Sequence, residues 1–184
     1  MRLGTGMMEA RTHRGAWASG DAVRWSVLTV IALAVLSIDQ ALKESVRSTF
    51  DPGEGTDLFG SFSIQHVQNF GVAGGGLEAN ALPLAVLAML AVLGLYEFLA
   101  RRAGARVSLL IGFGLLVGGG LGNLVDRARL GLVTDFIRNG PNAFNVADIA
   151  IFVGGVVVLV ALVASLVLAR LTANRAARPR SGRL

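Results

Sequence analysis

The sequence predicts an all-α integral membrane protein, four transmembrane helices carrying a small extracytoplasmic β-sheet. Three observations carry this. Four apolar stretches, 25–43, 82–100, 107–125 and 149–168, each come near the roughly 20 residues that a bilayer demands. The 184 residues are 53% hydrophobic, with a mean hydropathy of +0.62, more than a soluble domain of this size needs. Between the first two spans, "SFSIQHVQNFG" alternates polar and apolar residues, placing Phe62, Ile64 and His66 on one face as a short strand does.

Taken in order, residues 1–24 carry Arg2, Arg11, Arg14 and Arg24 without an apolar h-region, so they read as a basic cytoplasmic tail rather than a cleavable signal peptide. The first span acts as an uncleaved anchor. It ends in "SIDQALKESV", where Asp39 and Lys43 are four apart and share a helix face. "DPGEGTD" then breaks the chain with turn residues, and "GVAGGG" is expected to turn or bend the sheet after the strand. In the second span Glu97 stands near the cytoplasmic end, close enough to snorkel. The third, "VSLLIGFGLLVGGGLGNLV", repeats glycine at 114, 118 and 122, a small-xxx-small spacing that lets helices approach closely in lipid. These glycines do not fit a dinucleotide fingerprint, and no βαβ pattern surrounds them. The fourth span follows "FNVAD". The membrane domain therefore covers 25–170, and 171–184 is a second basic cytoplasmic tail.

Charge sets the orientation. Arginines precede the first span, sit between spans two and three (Arg101, Arg102, Arg106) and follow the fourth (Arg170, Arg175, Arg178, Arg180, Arg183). The loop 44–81 holds five acids against Arg47 alone. By the positive-inside rule both termini face the cytoplasm, and the loop between spans one and two lies outside. The basic balance thus points to anionic membrane lipid rather than nucleic acid. There is no cysteine, which excludes disulfides, thiolate nucleophiles and cysteine metal sites. His13 and His66 have no ligand-like spacing, so neither a metal nor another cofactor is expected.

This orientation gathers Asp39, Asn69, Asp126, Asp135 and Asp148 at the outer membrane boundary. Each has a bland account. Asn145 fits an N-cap of the fourth span with Asp148 at N3, where an acid suits the helix dipole. Asp135 would cap a short turn after Thr134, Asp39 would pair with Lys43, and Asp126 with Arg127. Together the bland accounts are less adequate, because ionisable groups at membrane depth are functional candidates by default. Asn69, Asn123, Asn145 and Arg127 add polar groups beside apolar or glycine-rich segments. Two carboxylates in a low-dielectric cleft cannot both ionise cheaply, so one keeps a proton. The ionised member can take a proton from water while the protonated one polarises a carbonyl. That chemistry cleaves amides without a thiol, a serine–histidine pair or a metal.

The motifs "DQALK" (39–43), "QNFGVAGG" (68–75), "GGGLGNLVDRARLGLVTDFI" (118–137) and "FNVADIA" (144–150) resemble, in order and side, those of the bacterial lipoprotein signal peptidases, or signal peptidase II. The resemblance covers roughly 24–170. It implies a four-helix bundle with an outer β-cradle and an aspartic endopeptidase of the bacterial inner membrane. The substrates implied are diacylglyceryl-modified prolipoproteins, cut just before the lipidated cysteine. Asp135 and Asp148 match the family's catalytic aspartates. Asp39, Lys43, Asn69, Asn123, Arg127 and Asn145 match its other polar site residues, with Gly71, Gly119 and Val133 in the same motifs. A globomycin-type peptide inhibitor and a monomeric enzyme are further expectations. Two departures stand out. "NFGVAGG" lacks the aromatic of the family's N-x-G-A-A-F-like run, and only twelve residues separate Asp135 from Asp148, so "RNGP" must turn tightly. Two other classes compete: a transporter or proton-relay subunit, which would place acids at mid-span, and a non-enzymatic adaptor, which would tolerate loss of the acid pair.

Overall fold

The computed structural model describes residues 22–71, 81–100 and 107–174 with their side chains, and the helical backbone of 5–21, 101–103 and 175–176. Helix α1 (Thr5–Thr49) is followed by strands β1 (Gly55–Phe59) and β2 (Phe62–Asn69), then helices α2 (Ala81–Ala103) and α3 (Val107–Leu130). Strands β3 (Val133–Asn139) and β4 (Asn142–Phe144) lead into α4 (Val146–Ala176). Four helical segments, Ala22–Thr49, Ala81–Ala100, Val107–Leu130 and Val146–Asn174, are long and apolar enough to cross a membrane. The expected fold class holds.

Helix α3 is the centre of the bundle. Over an apolar stretch of 18 residues in each helix, 56% are buried within the protein in α3, against 17% in α1 and α4 and 6% in α2. The remaining apolar surface, such as Val30, Leu33, Phe152 and Leu166, is exposed, as befits side chains whose solvent is hydrocarbon. Glycines let α3 take this place. The stripe Gly114, Gly118 and Gly122 packs on α1, where a Cβ on Gly118 would stand 2.7 Å from the Ala32 carbonyl oxygen. On the opposite side a Cβ on Gly154 of α4 would stand 2.7 Å from the Gly112 carbonyl oxygen. The small-xxx-small spacing does bring backbones together, but against α1; separate glycines serve α4. Towards the middle, Leu28, Tyr96, Phe113, Val117 and Val158 form the buried cluster, with Trp25 edge-on to Tyr96 at 5.1 Å and Tyr96 at 5.3 Å from Phe113.

The strands form one antiparallel sheet in the order β1-β2-β3-β4, joined by two hairpins. Both tips need a residue in the left-handed region, and glycine supplies it: Gly60 at φ 58° and Gly140 at φ 57°. The "RNGP" turn is thus as tight as its residues suggested. The sheet hangs from helix ends, since α3 stops three residues before β3 and α4 starts two residues after β4.

Two details differ from the sequence reading. The chain break is shorter than "DPGEGTD", because Gly55 already opens β1 opposite Gln65. A bulge between Ile64 and Val67 gives Val67 the face that strict alternation assigns to His66. His66 is instead buried, its Nδ1 2.9 Å from the Phe50 carbonyl oxygen. The "GVAGGG" bend lies, but for Gly71, outside the described residues.

Candidate active site

Two helical stripes and one strand end build the site. Helix α1 presents Asp39, Gln40, Lys43 and Arg47 on one face, and α3 presents Gly119, Gly122, Asn123, Asp126 and Arg127, both at helical spacing. The sheet adds Asn69 from the end of β2 and Val133, Thr134 and Asp135 from β3. The β4–α4 junction adds Asn145 and Asp148.

The deeper layer centres on Lys43, which is fully buried. Its ammonium donates to Asp39 Oδ2 at 2.8 Å, Asn123 Oδ1 at 3.0 Å and Asp126 Oδ2 at 3.2 Å, so all three of its protons have acceptors. Arg47 Nη1 approaches Asp126 Oδ1 at 3.6 Å. Two anions therefore face two cations, and no net charge is left buried, the condition under which such a cluster is tolerable. The acids also hold backbone. The Ala147 N–H donates to Asp39 Oδ1 at 2.8 Å, and the Thr134 N–H to Asp126 Oδ2 at 3.0 Å. This layer ties the start of α4 and the start of β3 to α1 and α3.

The upper layer centres on Asn145, also fully buried. Its Nδ2 donates to Asp135 Oδ1 at 2.7 Å and to Asn123 Oδ1 at 3.1 Å. Its backbone N–H donates to Asp148 Oδ2 at 3.1 Å, and its Oδ1 accepts from the Asp148 N–H at 2.9 Å. That reciprocal pair is a capping box, as the bland reading of Asn145 and Asp148 expected. Capping leaves Asp148 within the site: its Oδ1 accepts from Asn123 Nδ2 at 2.8 Å.

Asp135 caps no turn, contrary to its bland reading. It lies within β3, paired with Val67, because the segment after Thr134 continues as strand. Asn69 Nδ2 donates to its Oδ2 at 3.0 Å. Burial pushes the Asp135 carboxyl from an ordinary 3.8 up to about 6, helped by the nearby Asp148 charge and opposed by the Asn69 and Asn145 donors and Lys43. Arg127 does not pair with Asp126, as the sequence suggested; a one-residue step on a helix turns the two side chains apart. Its Nη2 donates to the Gly71 carbonyl at 3.1 Å and its Nη1 to the Asn123 carbonyl at 3.4 Å. The Gly71 N–H in turn donates to Asn69 Oδ1 at 3.1 Å.

All the residues singled out in sequence, Asp39, Lys43, Asn69, Gly71, Gly119, Asn123, Arg127, Val133, Asp135, Asn145 and Asp148, fall in or against this network. Val133 is buried opposite Asn69, and Gly119 lies against the Ala147 carbonyl, where a Cβ would collide. Sequence reasoning missed three. Gln40 Nε2 donates to Asp126 Oδ1 and to the Gly122 carbonyl, both at 3.1 Å. Arg47 Nη1 donates to Thr134 Oγ1 at 3.0 Å. The signal for Gln40 and Arg47 was their place on the Asp39–Lys43 face; Thr134 gave none. Chemically, two carboxyl groups joined by one asparagine, one with its pKa raised to about 6, make an acid–base pair.

Comparisons agree with this reading of the fold. A family model described as signal peptidase (SPase) II matches residues 31–164. A lipoprotein signal peptidase of Moorella thermoacetica is 41% identical over 137 residues, covering 71% of this chain and 87% of that protein. One from Oleidesulfovibrio alaskensis is 36% identical over 154 residues, covering 76% and 96%. Two solved bacterial membrane enzymes share the fold. One has a TM-score of 0.67 at 23% identity, covering 86% of this chain and 95% of its own. The other has a TM-score of 0.65 at 26% identity, covering 74% and 92%.

Proposed function

This chain belongs to the signal peptidase II family, and from that premise we propose that Asp135 and Asp148 are its catalytic pair. The protein is a multi-pass membrane aspartic endopeptidase that removes signal peptides from diacylglyceryl-modified prolipoproteins, cutting just before the lipidated cysteine. The observation that carries the residue assignment is Asn145, whose side chain and backbone hold one carboxyl group each.

The form of Asp135 that acts is the protonated one, which burial favours by raising its pKa to about 6. Asp148 takes a proton from a water positioned between the pair and the scissile carbonyl. Asp135 donates a hydrogen bond to the carbonyl oxygen as the water adds, which stabilises the charge that develops there. The tetrahedral intermediate then collapses, and the proton held by Asp148 passes to the leaving amine of the cysteine residue. Asn123 and Asn145 fix Asp148, and Asn69 and Asn145 fix Asp135, so neither acid must reorganise during the reaction. Arg127, through the Gly71 carbonyl, positions the start of the segment that follows β2.

The arginine pattern supports cytoplasmic termini and a site at the outer face of the bacterial inner membrane. The enzyme works as a monomer, and a globomycin-type peptide competes with the precursor. The deciding experiment is cleavage of a lipidated precursor by the purified protein in bilayers, with and without that inhibitor. Cleavage by wild type but not by Asp135→Asn or Asp148→Asn is the expected result, and undiminished cleavage by either variant overturns the assignment.

A further inference from the structure

The sheet is amphipathic across its two faces. Pairing puts Phe59 opposite Phe62, Ile64 opposite Ile137, and Ile137 opposite Phe144. Asp135 is two residues from Ile137 on the same strand, so it shares this apolar face. The opposite face carries Asp57, Ser63, Gln65 and Arg138, which line an open polar cavity of about 500 Å³. At the β1–β2 tip the apolar surface is bare. Phe59 is 72% exposed and Leu58 54%, and the Phe59 ring lies 5.5 Å from that of Phe62. Such a cluster at a hairpin tip has no evident reason in water. A sheet suspended from the ends of membrane-spanning helices offers one. The face that carries Asp135 is turned towards the helix ends, where Asp135 meets Asn145 at the start of α4, and aromatic side chains favour the headgroup boundary. Asp51, Glu54 and Asp57 flank the tip, so attraction to anionic lipid is not what holds it.

We propose that the β1–β2 tip, Leu58 and Phe59 backed by Phe62, inserts into the headgroup boundary of the leaflet on its side. The apolar face of the sheet then lies on the bilayer, with Asp135 at the inner end of that face. This deepens the peptidase reading: a substrate anchored by two acyl chains reaches Asp135 along a lipid-covered floor rather than from water.

The chain has no cysteine, so single nitroxide labels can be placed without altering it further. We would label Phe59→Cys and Asp57→Cys, neighbours on opposite faces, in nanodiscs of zwitterionic phospholipid, and compare collision with oxygen and with a water-soluble nickel chelate. The label at 59 should meet the chelate severalfold less, relative to oxygen, than the label at 57. Leu58→Cys provides a second reading of the tip should Phe59→Cys fold poorly. Equal chelate access at 57 and at the tip would overturn the proposal, and protection at 57 alone would mean that the opposite face meets lipid. Depth is read whether or not the protein cleaves anything, so failure here and failure of the peptidase reading are separate outcomes.

Discussion

Asn145 Nδ2 lies 2.7 Å from Asp135 Oδ1, and this one contact joins the strand that carries one acid to the cap of the helix that carries the other. The same side chain caps the Asp148 N–H through its oxygen. Asn145→Ala removes both functions. Loss of the cap costs about 1 kcal/mol, which an inserted bundle survives. Loss of the bridge frees Asp135, and a catalytic group released from a fixed geometry loses on the order of 10²-fold in rate. Asn145→Ser retains the cap but not the bridge. Matching kcat losses in the two variants, with recovered stability only in Asn145→Ser, is the expected pattern.

For the acid pair itself, Asp135→Asn and Asp148→Asn should each lower kcat by roughly 10²–10⁴-fold while the protein stays inserted. Asparagine caps helices well, so a purely structural Asp148 would tolerate the change. The double variant should be scarcely slower than either single one, because the two groups act as a unit. Single-turnover cleavage of a lipidated precursor measures all three.

Dependence on pH follows from Asp135. Its carboxyl holds a proton up to about pH 6, and the mechanism needs that proton, so kcat/KM should fall on the alkaline side as Asp135 ionises. The Asn69 donor favours the ionised form, so Asn69→Ala should move this limb to higher pH. Stability changes in the same direction. Between 3.8 and about 6 the folded protein keeps a proton that the unfolded chain has lost, so this group favours the fold below 3.8 and that contribution is lost as pH rises through 6. A limb unmoved in Asn69→Ala would place the titration elsewhere.

Lys43→Met should harm the fold rather than the chemistry. It leaves Asp39 and Asp126 buried with Arg47 alone, and stripping one partner from a buried ion pair costs roughly 3–5 kcal/mol. Asp39→Ala should act likewise by freeing the start of α4, and Asp126→Asn less so, since its amide oxygen can still accept from the Thr134 N–H. Thermal unfolding in detergent and the yield of inserted protein check this. An Asp39→Ala protein of wild-type stability but without activity would contradict it.

Gly122→Ala tests the close approach. A Cβ there would stand 2.6 Å from Asp39 Oδ2, and overpacking of this kind costs roughly 1–3 kcal/mol, outweighing alanine's better helix propensity. Gly155→Ala in α4 meets nothing within 4 Å and should gain up to ~1 kcal/mol. Opposite shifts in melting temperature are the expected outcome.

Much was decided by sequence alone. Length and hydropathy set the four spans, because a bilayer imposes one length on any helix that crosses it. The motifs around Asp135 and Asp148 pointed to the chemistry, since residues that must meet substrate are held to few types. Asp39 and Lys43 were legible as a pair because four residues make one helical turn. What only the tertiary structure decided is which groups from distant segments meet. Lys43 faces Asn123 and Asp126 as well as Asp39, and Asp126 answers Arg47 and Thr134 rather than its neighbour Arg127. The bulge that sends His66 inward and hands its face to Val67 left no mark in an alternating pattern. Local periodicity records the face on which a residue lies, whereas burial, pairing across elements and a carboxyl pKa near 6 depend on what the folded chain brings against that face.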